Sequence, residues 1–286
     1  MSNSSQINIS NLFTKNTVSS QDGTTIGYRS LGEGPGILII HGALSDSEDY
    51  TQLAKNLAQN FSVYIMDRRG RGMSGVQGNN YTISKELEDV QAVRNETKAN
   101  FIVGHSYGGL VALEVAHREG TVEKLALYEP GVFIEPQAWQ WLSDYEVALK
   151  EKDYREAFAH FVRGIGHTPQ LTKLPKWYVK FLLKLMIRGQ HWDKIVTMLP
   201  ENLNEHREVL KLSGTYGNYH SLEVDTLLMM GGKSSPSIKQ MVQELGKTIS
   251  ECRTLTISKA DHFGPDNDHC PIEVANQLRS FFADKE

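Results

Sequence analysis

Apolar residues fall along the first 130 positions in short dense runs separated by amphipathic stretches. GILII (36–40), SVYIM (62–66), NFIVG (100–104) and KLALYE (124–129) are mostly apolar runs of strand length, and TTIGYRSL (24–31) alternates. Short, near-continuous apolar strands suit a parallel sheet covered by helices on both faces. Between them the spacing becomes helical. Tyr50, Leu53, Ala54, Leu57 and Ala58 predict a helix within 46–59, and Leu87, Val90 and Val93 predict one over 84–98 with Ser84 as its N-cap. A third helix follows NFIVG and is predicted to end at Gly120, a favourable C-cap residue.

Beyond Pro130 the alternation stops. Residues 133–213 show no strand but several helix-like stretches carrying Trp139, Trp141, Tyr145, Phe158, Phe161, Trp177, Tyr178, Phe181 and Trp192, so all four tryptophans lie here. The strand–helix rhythm returns with TLLMMG (226–231), a helix from Ser237 to about Ile249, RTLTIS (253–258) and a closing helix from Pro271 to Ala283. The pattern predicts an α/β fold with a mostly parallel, doubly wound sheet and a helical cap. Residues 1–132 and 221–286 form the two parts of the core, and 133–220 the cap.

Composition narrows the function. A net charge of −4, from 30 basic and 34 acidic residues, gives no electrostatic footprint for nucleic acid. No apolar run reaches the length of a membrane span, so no membrane partner is expected. The opening MSNSSQINISNLFTKN lacks the basic-then-apolar pattern of a signal peptide. Only Cys252 and Cys270 occur, which excludes a disulfide framework, and a cytoplasmic location is expected. No histidine pair has H-x-x-x-H spacing, and neither a dinucleotide fingerprint nor a phosphate loop is present, so no metal or organic cofactor is implied.

The candidate chemistry centres on Gly104-His105-Ser106-Tyr107-Gly108. The chain leaves a strand and enters a helix within about one residue, and glycines two positions either side of Ser106 remove the clashes such a turn creates. The serine hydroxyl is lifted to the sheet edge at a helix N-terminus. A serine needs a base to become a nucleophile, and His262, just past RTLTIS in KADHFGP, lies at the same C-terminal edge. His269, on the same loop, is its competitor, whereas His117, His160, His167, His191, His206 and His220 fall on predicted helices or in the cap. Acyl transfer also needs oxyanion donors. The Tyr107 N–H follows the serine directly, and the Ala43 N–H, after Gly42 in HGALSD, is the second candidate; His41 is expected to hold that loop in shape.

HGALSD, MDRRGRGMSG, GHSYGG and ADHFGP occur in the order and at the spacings of the α/β-hydrolase fold family, which the chain resembles over about residues 20–284. The resemblance implies that Asp67, Arg69, Gly70, Gly72 and Ser74 form a structural loop. It also implies a triad acid after the strand following the cap, but that loop reads GGKSSPS, with Ser234 and Ser235 where a carboxylate is expected. Asp225 starts its strand and so sits at the wrong edge. LYEP resembles a bacterial subgroup that carries the acid one strand beyond the nucleophile, which implies Glu129; Asp261, Asp266 and Asp268 are the alternatives.

Ser106, His262 and Glu129 would then cleave a small or medium hydrophobic carboxylic ester through an acyl-enzyme. A carbon–carbon bond hydrolase of the β-diketone type, or a non-catalytic ligand-binding protein, are the competing readings. A serine rather than an aspartate at the elbow argues against a dehalogenase or epoxide hydrolase. The oligomeric state is open.

Overall fold

The computed structural model describes residues 9–134, 139–166, 171 and 173–284. Eight strands form one sheet in the order β1-β2-β4-β3-β5-β6-β7-β8: β1 Thr14–Ser19, β2 Thr25–Leu31, β3 Gly36–Ile40, β4 Ser62–Met66, β5 Phe101–His105, β6 Lys124–Tyr128, β7 Asp225–Gly231 and β8 Cys252–Ile257. β2 runs antiparallel to β1 and β4, and every other pairing is parallel.

Strand alternation sorts the sheet into two cores. Leu38, Ile40, Ile102, Leu125, Leu127 and Leu228 face α2 (Ile83–Thr97), α3 (Ser106–Arg118) and the later helix at Pro236–Thr248, while Ile37, Ile39, Val103, Ala126 and Met229 face α1 (Thr51–Leu57) and the closing helix at Pro271–Ala283. Each central strand buries side chains on both faces, which is why its sequence shows a run rather than an alternation.

The α-helices α4 Gln140–Lys150, α5 Tyr154–Ile165, α6 Lys176–Met186 and α7 Gln190–Leu212 lie between β6 and β7, followed by a 3-10 helix at Tyr216–Ser221. They share a separate core of Leu142, Tyr145, Phe158, Val179, Leu183, Leu199 and Leu203. α8 (Pro236–Thr248) and α9 (Pro271–Ala283) complete the fold.

Buried charge fastens α7 to the core. Glu205 accepts from Arg68 at 2.6 Å and Arg71 at 2.7 Å, Arg68 also pairs with Glu86 at 2.8 Å, and all four side chains are fully buried. Full burial opposes the Arg68 charge, yet Glu205 and Glu86 more than offset it and hold the guanidinium protonated. Lys194 of α7 adds pairs to Asp46 and Asp49.

Local departures from the sequence reading have identifiable causes. β1 was not expected, because TKNTVS leaves its side chains exposed or half-buried at the sheet edge and so shows no apolar signal. The helix expected over 46–59 begins as a 3-10 turn, Ser47–Tyr50, capped by Asp46, and becomes α-helical only at Thr51. Thr82, not Ser84, is the N-cap of α2 and makes no side-chain capping bond. Gly120 lies beyond the end of α3, whose C-cap is Glu119.

Candidate active site

The turn into α3 is as tight as the glycines suggested. A Cβ on Gly104 would come within 2.7 Å of the Gly108 carbonyl, and one on Gly108 would overlap the carbonyls of Ile40 and His41. Ser106 itself holds φ 52°. Glu129, at the end of β6, holds φ 43°, and Leu44, next to Ala43, holds φ 53°. Left-handed backbone costs a non-glycine residue roughly 1–3 kcal/mol and concentrates where geometry is demanded by function. Three of the five described non-glycine residues with positive φ meet at this one place, the others being Lys98 and Lys152.

The structure brings Ser106, His262 and Glu129 into one chain of hydrogen bonds. Ser106 Oγ lies 3.2 Å from His262 Nε2, and His262 Nδ1 lies 2.7 Å from Glu129 Oε2. The second carboxylate oxygen, Oε1, accepts from the Gly231 N–H at 2.7 Å and the Ser234 hydroxyl at 2.5 Å. Ser234 thus occupies the loop where a carboxylate was expected and donates to one arriving from the neighbouring strand. The sequence displayed the substitution but not this contact. Burial pushes the His262 imidazole down to about 4, which keeps it neutral, and therefore able to accept a proton, at pH 7.

His105 backs this chain. Its Nε2 donates to the His262 carbonyl at 2.7 Å and its Nδ1 accepts from the Tyr50 hydroxyl at 2.5 Å; burial lowers it to about 3, so the ring stays neutral. Tyr128 donates to the Asp261 carbonyl at 2.6 Å, bracing the same loop. Sequence reasoning missed both supports, whose acceptors are the distant backbone carbonyls of His262 and Asp261.

The remaining acids have other neighbours. Asp261 Oδ1 accepts from the Phe263 N–H at 3.0 Å and lies 3.3 Å from His269 Nδ1. Asp266 lies 3.8 Å from His105 Nδ1, and burial raises its carboxyl to about 8. Asp268 and His269 line the cavity wall, and Asp225 sits at the far edge with Arg253 and Lys124. His206 is buried, contrary to the bland surface or half-buried role the sequence suggested, and lines the cavity with His191. His167 lies outside the described residues.

A Cβ on Gly42 would stand 3.1 Å from Ser106 Cβ, so the HGALSD loop passes directly beside the serine. Among the described residues, the Ala43 and Tyr107 N–H groups have no acceptor within the protein. His41 ties this loop to its neighbour, Nδ1 donating to the Gly42 carbonyl at 2.8 Å and Nε2 accepting from the Arg68 N–H at 3.1 Å. Asp67 accepts from the Ser47 and Met73 amides at 2.8 and 2.9 Å, a structural use of both oxygens.

Over the serine lies a cavity of about 660 Å³, closed on the cap side by Phe158, Phe161, Val162, Ile165 and Ile195 and on the core side by Val132, Phe133, Ile238 and Met241. A more open depression of about 830 Å³ at the N-terminal ends of the strands, lined by Phe61, Lys124 and Phe282, lies at the opposite sheet edge from these groups.

Residues 37–277 match the model of the alpha/beta hydrolase family. The chain belongs to this family. A pimeloyl-[acyl-carrier protein] methyl ester esterase of Nitrosospira multiformis is 32% identical over 128 residues, 42% of this chain and 48% of that protein. An uncharacterized protein of Mycobacterium tuberculosis is 33% identical over 36% of this chain and 31% of its own length, so the match spans half or less of these curated relatives. An alpha/beta hydrolase from Sphaerobacter thermophilus superposes with TM-score 0.80 at 27% identity, covering 94% of this chain and all of that one.

Proposed function

We propose that the protein is a serine hydrolase of carboxylic esters, working through Ser106, His262 and Glu129. The observation that carries this reading is the continuous chain from the Ser106 hydroxyl through His262 to the buried Glu129 carboxylate, with Ser106 on left-handed backbone at a helix N-terminus.

Ser106 Oγ attacks the ester carbonyl as His262 Nε2 accepts its proton. Glu129 fixes the tautomer that leaves Nε2 free to accept and stabilises the imidazolium once it forms. The Ala43 and Tyr107 N–H groups receive the tetrahedral oxyanion. His262 then gives the proton to the departing alkoxide, and water, activated by the same histidine, releases the acid from Ser106. The apolar walls suit a small or medium hydrophobic acyl or alcohol group. The esterase activity in the name of the Nitrosospira relative supports the same reaction class.

A series of p-nitrophenyl esters from acetate to decanoate tests the reading. Turnover on the shorter and middle members, falling by at least ~10⁴-fold in Ser106→Ala with the fold intact, is expected. A Ser106→Ala protein that keeps its rate would overturn the reading. Cleavage of a β-diketone without any ester turnover would replace it with the carbon–carbon hydrolase.

A further inference from the structure

We propose that α6 is a docking face for an anionic lipid surface. Five of the eleven large hydrophobic side chains exposed among the described residues lie on this one short helix: Trp177 (71% exposed), Tyr178, Phe181, Leu185 and Met186 (74%). At 100° per residue, Trp177, Phe181, Leu185 and Tyr178 occupy an arc of about 100°. Val179 and Leu183, on the opposite side, are buried in the cap core. The helix is therefore already anchored by one apolar stripe, and its second stripe, in which the Tyr178 ring touches those of Trp177 and Phe181, lies largely at the surface.

Charge identifies the partner. From 157 to 192 the chain has no acidic residue and six basic ones, Arg163, Lys173, Lys176, Lys180, Lys184 and Arg188, although the protein as a whole carries a net −4. Lys176 pairs with Glu156 of α5, and Lys180 pairs with Glu156 and with Asp153, the N-cap of that helix. Lys173, Lys184 and Arg188 are exposed and have no acidic partner among the described residues. A second copy of the same face would bring like charges together around its apolar stripe. An anionic bilayer surface instead receives indole, phenol and phenyl rings at headgroup depth while lysine and arginine meet the lipid phosphates. The face is a convex helix surface rather than a groove, which suits a planar partner better than an extended peptide. The expectation of no membrane partner rested on the lack of a spanning run, which does not sense a local interfacial stripe.

Flotation of the whole protein with vesicles tests this independently of any activity. Vesicles of phosphatidylcholine containing 30% phosphatidylglycerol should carry the protein upward at low salt, with a blue shift of tryptophan fluorescence, and pure phosphatidylcholine should not. Trp177→Ala/Phe181→Ala should abolish flotation, and Lys184→Gln/Arg188→Gln should weaken it roughly thirtyfold, at about fivefold per basic residue. Both variants should keep wild-type circular dichroism. The proposal is overturned if wild type fails to float with the anionic vesicles, or floats equally with both kinds. It is also overturned if the protein forms a dimer that Trp177→Ala/Phe181→Ala dissolves, since a second copy would then be the occupant.

Discussion

On the core side of the cavity, Ser106, His262, Glu129 and Ser234 form an unbroken series of hydrogen bonds, and Leu44, Ser106 and Glu129 hold left-handed backbone to shape it. On the cap side, Phe158, Phe161, Val162 and Ile195 meet the same cavity with apolar surface and are backed by the cap's own core. The two walls obey different tolerances. A hydrogen-bonded relay loses its effect with a displacement of about 1 Å, whereas an apolar wall loses only the area it stops burying. Changes on the core side should therefore act on kcat, and changes on the cap side on KM.

The largest expected contrast comes from Glu129→Gln. The amide keeps the size of the side chain but cannot stabilise imidazolium, so kcat should fall by about 10³–10⁴-fold in steady-state assays. The pH profile sharpens this. With His262 held down by burial to about 4, the acid limb of kcat/KM should lie below the ordinary imidazole value of 6.5. Removing the adjacent anion disfavours imidazolium further, so the residual activity of Glu129→Gln should show its acid limb at still lower pH. A limb that moves upward would contradict the contact.

Next in size is a change that spares both walls and attacks their joint. Glu205→Ala leaves Arg68 and Arg71 buried without that carboxylate, and should cost about 3–5 kcal/mol in urea unfolding. Loss of less than about 1 kcal/mol would mean that α7 is held by packing alone.

The two walls are compared directly by Ser234→Ala and Phe161→Ala. The first removes one donor to the Glu129 carboxylate and should lower kcat roughly tenfold with KM little changed, in line with the worth of a charge-assisted hydrogen bond. The second should raise KM several-fold for middle-length acyl esters while kcat stays within about twofold. The reverse pattern would break the division between the walls.

The smallest effect concerns Asp266, whose carboxyl burial raises from 3.8 to about 8. Between those values the folded state keeps a proton that the unfolded state has released, so stability falls as pH rises through that window. Asp266→Asn cannot ionise and should gain thermal stability relative to wild type as pH rises from 5 to 9. The side chain is still 22% exposed, so solvent screening keeps the gain modest. Equal melting-temperature differences at pH 5 and 9 would contradict the raised value.

Much of the fold was legible because its central strands are buried on both faces, which leaves apolar runs such as GILII and SVYIM, the latter matching β4 residue for residue. β1 was illegible for the converse reason, since an exposed edge strand is specified by its pairing with β2 rather than by its own composition. Ser106 could be read from its two glycines, because steric exclusion leaves a mark in sequence. Glu129 was singled out by its place at the end of KLALYE together with resemblance, not by any local mark. Nothing local distinguishes a carboxylate at a strand end, and its nearness to His262 depends on two segments 133 residues apart. The role of Ser234 and the exposed stripe of α6 belong to the same kind, since both depend on what tertiary packing sets beside them or leaves uncovered.

The most direct test of the central claim is covalent labelling of the native protein with a fluorophosphonate, followed by mass spectrometry of the peptide that contains residue 106. Rapid modification of Ser106, collapsing in both His262→Ala and Glu129→Gln, is the expected result. A folded native protein that leaves Ser106 unmodified, or a Glu129→Gln variant labelled as fast as wild type, would contradict the account.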